Sequence, residues 1–134
     1  MELPPEVTFH RDLRLLVFRP QGVLNEERID RIVEFLDREE DRAQQPFNRF
    51  TDNSKLDAVD LEFGFIFRVS LHRRLSYASH PRVKSAFYVT SPAVAHIVKL
   101  HAMLTDRSPL QVRMFEDFAS AGKWLGVPVT TLKG

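Results

Sequence analysis

The chain has 134 residues, 43% apolar and 28% charged, which suits one globular domain with a core of its own. Lys and Arg number 19 against 18 Asp and Glu, and a net charge of +1 gives no general basic field for nucleic acid. The absence of cysteine excludes disulfides, thiolate zinc sites and a thiol nucleophile.

The longest strongly apolar run, Leu15-Leu16-Val17-Phe18, falls far short of the roughly 20 residues that span a bilayer. The opening Met1-Glu2-Leu3-Pro4-Pro5-Glu6 has no basic stretch followed by an apolar one. Both features predict a cytoplasmic protein without an integral membrane segment or a secretory leader. Val7-Thr8-Phe9 and Leu13 to Phe18 read as strands joined by the polar turn His10-Arg11-Asp12, an antiparallel hairpin. After Pro20-Gln21-Gly22, Val23-Leu24 leads into Asn25, a favourable helix N-cap with Glu26 and Glu27 at the positive end of the dipole. Ile29, Ile32, Val33 and Leu36 then form a stripe at helical spacing. Glu27–Arg31 and Glu34–Arg38 stand four apart, so an amphipathic helix is expected over about 26–43.

Gln44-Gln45-Pro46 ends that helix, and Phe47 to Thr51 is the next expected strand. Asp52 to Asp60 reads as a polar loop, with Asp60 capping a helix from Leu61 to about Tyr77 that is apolar around much of its circumference. Ser79-His80-Pro81 breaks it, and Val83 to Val89 is a strand. Ser91-Pro92 is a cap followed by proline at the first helical position and starts a helix to about Leu104. Leu110 to Phe115 is the last strand, Asp117 caps a short helix ending at Gly126, and 127–134 reads as a tail. Strands alternating with helices imply an α/β domain: a mixed, mostly parallel sheet of about five strands, an N-terminal hairpin and four helices, with the core over 7–126. Charge is uneven along it, with 14 acidic and 9 basic groups over 1–60 and 4 acidic and 10 basic groups over 61–134. Such a split suits either packing of the halves or a steered contact surface.

Five glycines, at 22, 64, 122, 126 and 134, build neither G-x-G-x-x-G nor a Walker loop, and no G-x-S-x-G is present. His96 and His101 lie about 140° apart on one helix and cannot chelate one zinc ion. One should pack inward and the other face solvent, so no metal or other cofactor is expected. His72-Arg73-Arg74 sits where cations favour a helix C-terminus, or else forms a small anion-binding patch. Asp52, Asp57, Asp60 and Glu62 cluster around one strand-to-helix connection. They serve as turn and cap residues or, less simply, as a general acid and base. Phe63, Phe65 and Phe67 cannot all share one helix face; they pack in the core or, as the alternative, form a partner surface or a cavity for a lipophilic ligand.

The stretch Thr51 to Glu62 resembles the strand–loop–helix signature of STAS domains, the SpoIIAA-like anti-sigma-factor antagonists: Asp52 and Ser54 match its first half, and Leu56, Val59 and Asp60 fall in register. Gly22-Val23-Leu24 is similar to the family's Gly-x-Leu entry to its first helix, and Ala121, Trp124 and Leu125 to the close of its STAS/SEC14-type branch. The resemblance covers about residues 7–126 and implies a bacterial, non-enzymatic regulatory module. Where the antagonists carry Ser-Ser-Gly, this chain has Leu61-Glu62-Phe63, so Glu62 replaces the serine that a partner kinase phosphorylates. A carboxylate has no hydroxyl to modify, which removes that switch and leaves at most a fixed single charge.

The expected contact surface is therefore Ser54, Lys55, Asp57, Asp60, Glu62 and the following helix, acting on a protein partner. The SEC14-like side of the resemblance implies an alternative, a carrier or sensor of a small lipophilic or acidic ligand held by Phe63, Phe67, Leu71, His72, Arg73, Arg74 and Lys99. An enzyme using the loop carboxylates is a third reading, and homodimerisation through a helix face or the hairpin is left open.

Overall fold

The computed structural model describes residues 3–134, so Met1 and Glu2 of the opening Met1 to Glu6 stretch lie outside it. β1 (Val7–His10) runs antiparallel to β2 (Leu15–Phe18), with Val7 opposite Phe18 and His10 opposite Leu15. Leu13 and Arg14, expected in the second strand, belong to the turn instead. Arg14 takes φ 51° there, and its N–H closes onto the Arg11 carbonyl. β2, β4 (Asn48–Asp52), β6 (Val83–Tyr88) and β7 (Leu110–Phe115) are parallel, giving one mixed sheet in the order β1-β2-β4-β6-β7.

Period-two alternation divides the side chains between the two faces of this sheet. Leu15, Val17, Phe50 and Ala86 face α4 (Phe118–Leu125) and α5 (Val129–Leu132), packing with Ala121, Leu125 and Leu132. Leu16 and Phe18 face the other way, onto Phe35 and Leu36 of α1 (Glu26–Ala43). That second face is also covered by α2 (Phe63–Ser76) and α3 (Pro92–Leu104).

The caps read from the sequence form. Asn25 Oδ1 accepts from Arg28 N at 3.0 Å, Ser91 Oγ from Val94 N at 3.2 Å and Asp117 Oδ1 from Ser120 N at 2.6 Å. Glu27 and Arg31 pair at 2.9 Å, whereas Glu34 and Arg38 stay solvent-facing without closing an ion pair.

Two expectations are corrected. First, Leu56 to Asp60 is no loop but β5, parallel to β3 (Gly22–Asn25) in a separate two-stranded sheet with Asp60 opposite Asn25. Its backbone partners come from a segment some 30 residues away, which local polarity does not reveal. Asp60 is therefore no helix cap; Glu62 holds that position, without a side-chain cap bond, and α2 begins at Phe63. Second, the stretch read as a tail contains a fifth helix, α5, whose Leu132 is fully buried against α4. The mixed, mostly parallel sheet of five strands is as expected, with this separate pair beside it.

Gly126 ends α4 at φ 74°, and a Cβ there would meet nothing within 4 Å. Gly126→Ala is therefore expected to lower the unfolding free energy by about 1 kcal/mol through backbone strain alone. Urea denaturation checks this, and an unchanged midpoint would refute it.

Candidate ligand-binding site

Under α1, α2 and α3 lies a cavity of about 170 Å³. The sheet provides its floor through Phe18, Thr51, Ser85, Phe87 and Leu110. The walls are Ile29, Ile32, Val33 and Leu36 of α1, Phe65, Ile66 and Val69 of α2, and Val94, Ile97 and Val98 of α3. Each of these sets follows helical spacing, so the stripes that make the helices amphipathic also make the cavity apolar.

The cavity includes a polar set: Arg49 of β4, Ser70 and Arg73 of α2, and His101 of α3. Arg49 and Arg73 are 6% and 3% exposed, and buried charges persist only when paired. Glu40 supplies the counter-ion. Its Oε2 accepts from Arg49 Nη2 at 3.0 Å and from Phe47 N at 2.7 Å, and its Oε1 accepts the Tyr77 hydroxyl. Tyr77 Oη in turn accepts from Arg49 Nη2 at 2.7 Å and Arg73 Nη2 at 2.8 Å. Arg73 Nη1 donates to Asp37 Oδ1 at 2.6 Å, and His72 Nε2 lies 2.8 Å from Asp37 Oδ2.

Burial alone would lower the pKa of Arg49, yet it is raised, because Tyr77 and Glu40 lie against the guanidinium. Arg73 is lowered, by burial and by Arg49 beside it, and burial raises Tyr77. Burial also pushes His101 down to about 4, with Arg73 and Arg49 adding to the effect. Its ring is therefore neutral at pH 7, and Nδ1 shares a 2.7 Å hydrogen bond with Ser70 Oγ.

The residues singled out in the sequence are not gathered at one place. Asp52 is buried, held by Arg19 Nη1 at 3.2 Å and by the Ser54 amide at 3.0 Å. Ser54, Lys55, Asp57, Asp60 and Glu62 are exposed along β5 and the approach to α2. Phe65 faces the cavity, while Phe63, Phe67, Leu71 and Leu75 form an outer stripe, 62, 46, 44 and 67% exposed. The rings of Phe63 and Phe67 stack with centroids 6.4 Å apart.

The basic set is dispersed: Arg73 is interior and lines the cavity, His72 is tied to Asp37, Arg74 donates to the Asp106 carbonyl, and Lys99 stands exposed on α3. His101 packs inward and His96 outward, as their spacing required. Among the described residues no three His, Asp or Glu side chains come together as a metal site. No helix there is long and apolar enough to cross a membrane.

No protein-family model and no curated protein matches the chain. Its structure, however, is similar to that of a Shewanella loihica PV-4 protein of the DUF3478 family with a SpoIIAA-like fold. The TM-score is 0.59, with 17% identity over 89% of this chain and 90% of that one. The fold is SpoIIAA-like. In this SpoIIAA-like chain the position after Asp60 and Leu61 carries Glu62 at the entry of α2, and the three helices on one face of the sheet roof the cavity.

Proposed function

We propose that this chain is a non-enzymatic binding module that holds a small lipophilic ligand under α1, α2 and α3. The supporting observation is the apolar cavity of about 170 Å³. An apolar cavity of about 150 Å³ stays dry and accepts benzene, so this one is large enough for a real guest. The non-catalytic part of the reading rests on the carboxylates. Asp52 is tied down by Arg19 and the Ser54 amide, and Asp57, Asp60 and Glu62 face open solvent. The test is thermal unfolding with benzene-sized and short aliphatic compounds, since binding to the folded state raises its stability by mass action. We expect a concentration-dependent rise that Val69→Phe, which fills the space, removes. No rise with any compound would overturn the reading.

A regulatory module acting through protein contacts is the second reading, favoured by the outer stripe of α2, whose four exposed apolar side chains recur every fourth residue. A stripe of this kind fits an equivalent apolar helix, and a second copy of the chain offers one in an isologous pair. Sedimentation velocity should then show concentration-dependent dimerisation that Phe67→Glu with Leu71→Glu abolishes. A monomer at every concentration would remove this reading.

A further inference from the structure

The charged cluster beside the cavity is sorted by sign. Arg49 and Arg73 line the cavity, and no Asp or Glu does. Their carboxylate partners Glu40 and Asp37 line a separate cleft between α1 and the end of α2, together with Glu34, Arg38, Asp41, Tyr77 and His80. Within the network, Arg49 and Arg73 thus border the cavity, and Glu40 and Asp37 border the cleft. Arg49 adds a second observation. Its Nη2 is engaged by Glu40, Phe47 and Tyr77, but its Nε is buried without a hydrogen-bond partner, alone in this among the buried side-chain nitrogens and oxygens of the described residues. A buried donor left unpaired is costly, and natural structures rarely leave one without a use. Around it His101, Ser70 and Ser85 bring hydrogen-bonding groups without charge, and the remaining lining is apolar apart from Thr51 and Asn53.

We infer that the cavity is built for a small apolar carboxylic acid, bound as its carboxylate, with its head group at the Arg49 guanidinium and an apolar body of about six to eight heavy atoms between the helices. This deepens the ligand-binding reading above and rests on it. A charged acceptor makes the stronger hydrogen bond to a guanidinium. Arg49 makes its hydrogen bonds through Nη2, which leaves the rest of the guanidinium for one such head group, whereas a diacylated lipid would exceed the volume several-fold.

The experiment is calorimetric titration at pH 7 of the whole chain with benzoate and hexanoate, each beside its neutral counterpart, benzyl alcohol and hexanol, and with palmitate. Benzoate and hexanoate separate an aromatic from an aliphatic body, and tighter binding by either acid supports the inference. The expected result is that an acid binds at least about tenfold more tightly than its alcohol, the usual worth of a hydrogen bond to a charged group. The Arg49 Nε–H resonance should shift on saturation with the acid. Replacing both charges together, Glu40→Met with Arg49→Met, avoids stranding either one and should erase the preference for the acid. Alcohols binding as tightly as acids would overturn the head-group inference while leaving the cavity reading intact. Palmitate binding where both small acids fail would overturn the size. If none of the five compounds binds, the ligand-binding reading fails with the inference.

Discussion

Replacing Glu40 by alanine should destabilise the protein by about 3–5 kcal/mol, the range for removing one partner of a buried ion pair. That is a large share of the roughly 5–15 kcal/mol that holds a domain folded. The effect has three sources. Glu40 is the buried counter-ion of Arg49 at 3.0 Å and lies 4.0 Å from Arg73. It also accepts the Phe47 N–H and the Tyr77 hydroxyl. Alanine would leave the Arg49 guanidinium, the Phe47 amide and the Tyr77 hydroxyl with fewer partners, in a place where water does not replace them easily. Glu40→Gln keeps the shape and part of the hydrogen bonding, so its loss should be smaller. Glu40→Met with Arg49→Met removes both charges and should recover much of the loss. Urea unfolding at pH 7 orders the three variants. A change below about 1 kcal/mol for Glu40→Ala, the size of one ordinary hydrogen bond, would show that the network does not hold the fold.

That network was the least visible part of the molecule in the sequence. Glu39-Glu40-Asp41 follows Arg38 near the end of an amphipathic helix, and such a run reads as a solvated face. Its burial depends on the meeting of three distant segments, α1, β4 and α2, which no local pattern records. Two signals were nevertheless present. Arg49 alternates with Phe50 in a strand that must bury both faces, which places a guanidinium inside. Ile66, Ser70 and Arg73 recur at helical spacing on the inner face of α2, with Tyr77 following at its C-cap, so Arg73 shares a face with core residues and does not belong to the patch with His72 and Arg74. What was legible was governed by local physics: the stripe of α1, the caps at Asn25, Ser91 and Asp117, the glycine at 126, and the parallel order that alternation imposes. β5 and α5 escape the local sequence pattern for the same reason as the network. Leu56 to Asp60 becomes a strand only because β3 lies beside it, and Val129 to Leu132 a helix only because Leu132 docks on α4.

His101 should make stability depend on pH in a defined window. Its imidazole is held between Ser70, which shares its Nδ1 hydrogen bond, and the ring of Phe87, edge-on at 6.1 Å. Burial, with Arg73 and Arg49 adding like charge, lowers its pKa from 6.5 to about 4. In the unfolded chain the same group regains its ordinary value, so between about pH 6.5 and 4 the unfolded state binds the extra proton. Stability therefore rises with pH across that window, is fully present above it and falls as the solution is acidified through it. The His101 contribution at pH 4 is a loss on the order of 2–3 kcal/mol relative to pH 7. Carboxylates also titrate in this range, so the quantity to measure is the difference between the protein and His101→Gln. Glutamine keeps a polar side chain facing Ser70 but cannot take up a proton. Urea unfolding at pH 7 and at pH 4.5 should show a smaller loss on acidification for His101→Gln than for the parent chain. Equal losses would mean that His101 is protonated in the folded protein as readily as in the unfolded one. Because Arg49 and Arg73 repel the imidazolium, an anion seated on Arg49 should raise the pKa of His101. Benzoate would then stabilise the protein more at pH 5 than at pH 7, for as long as it stays ionised.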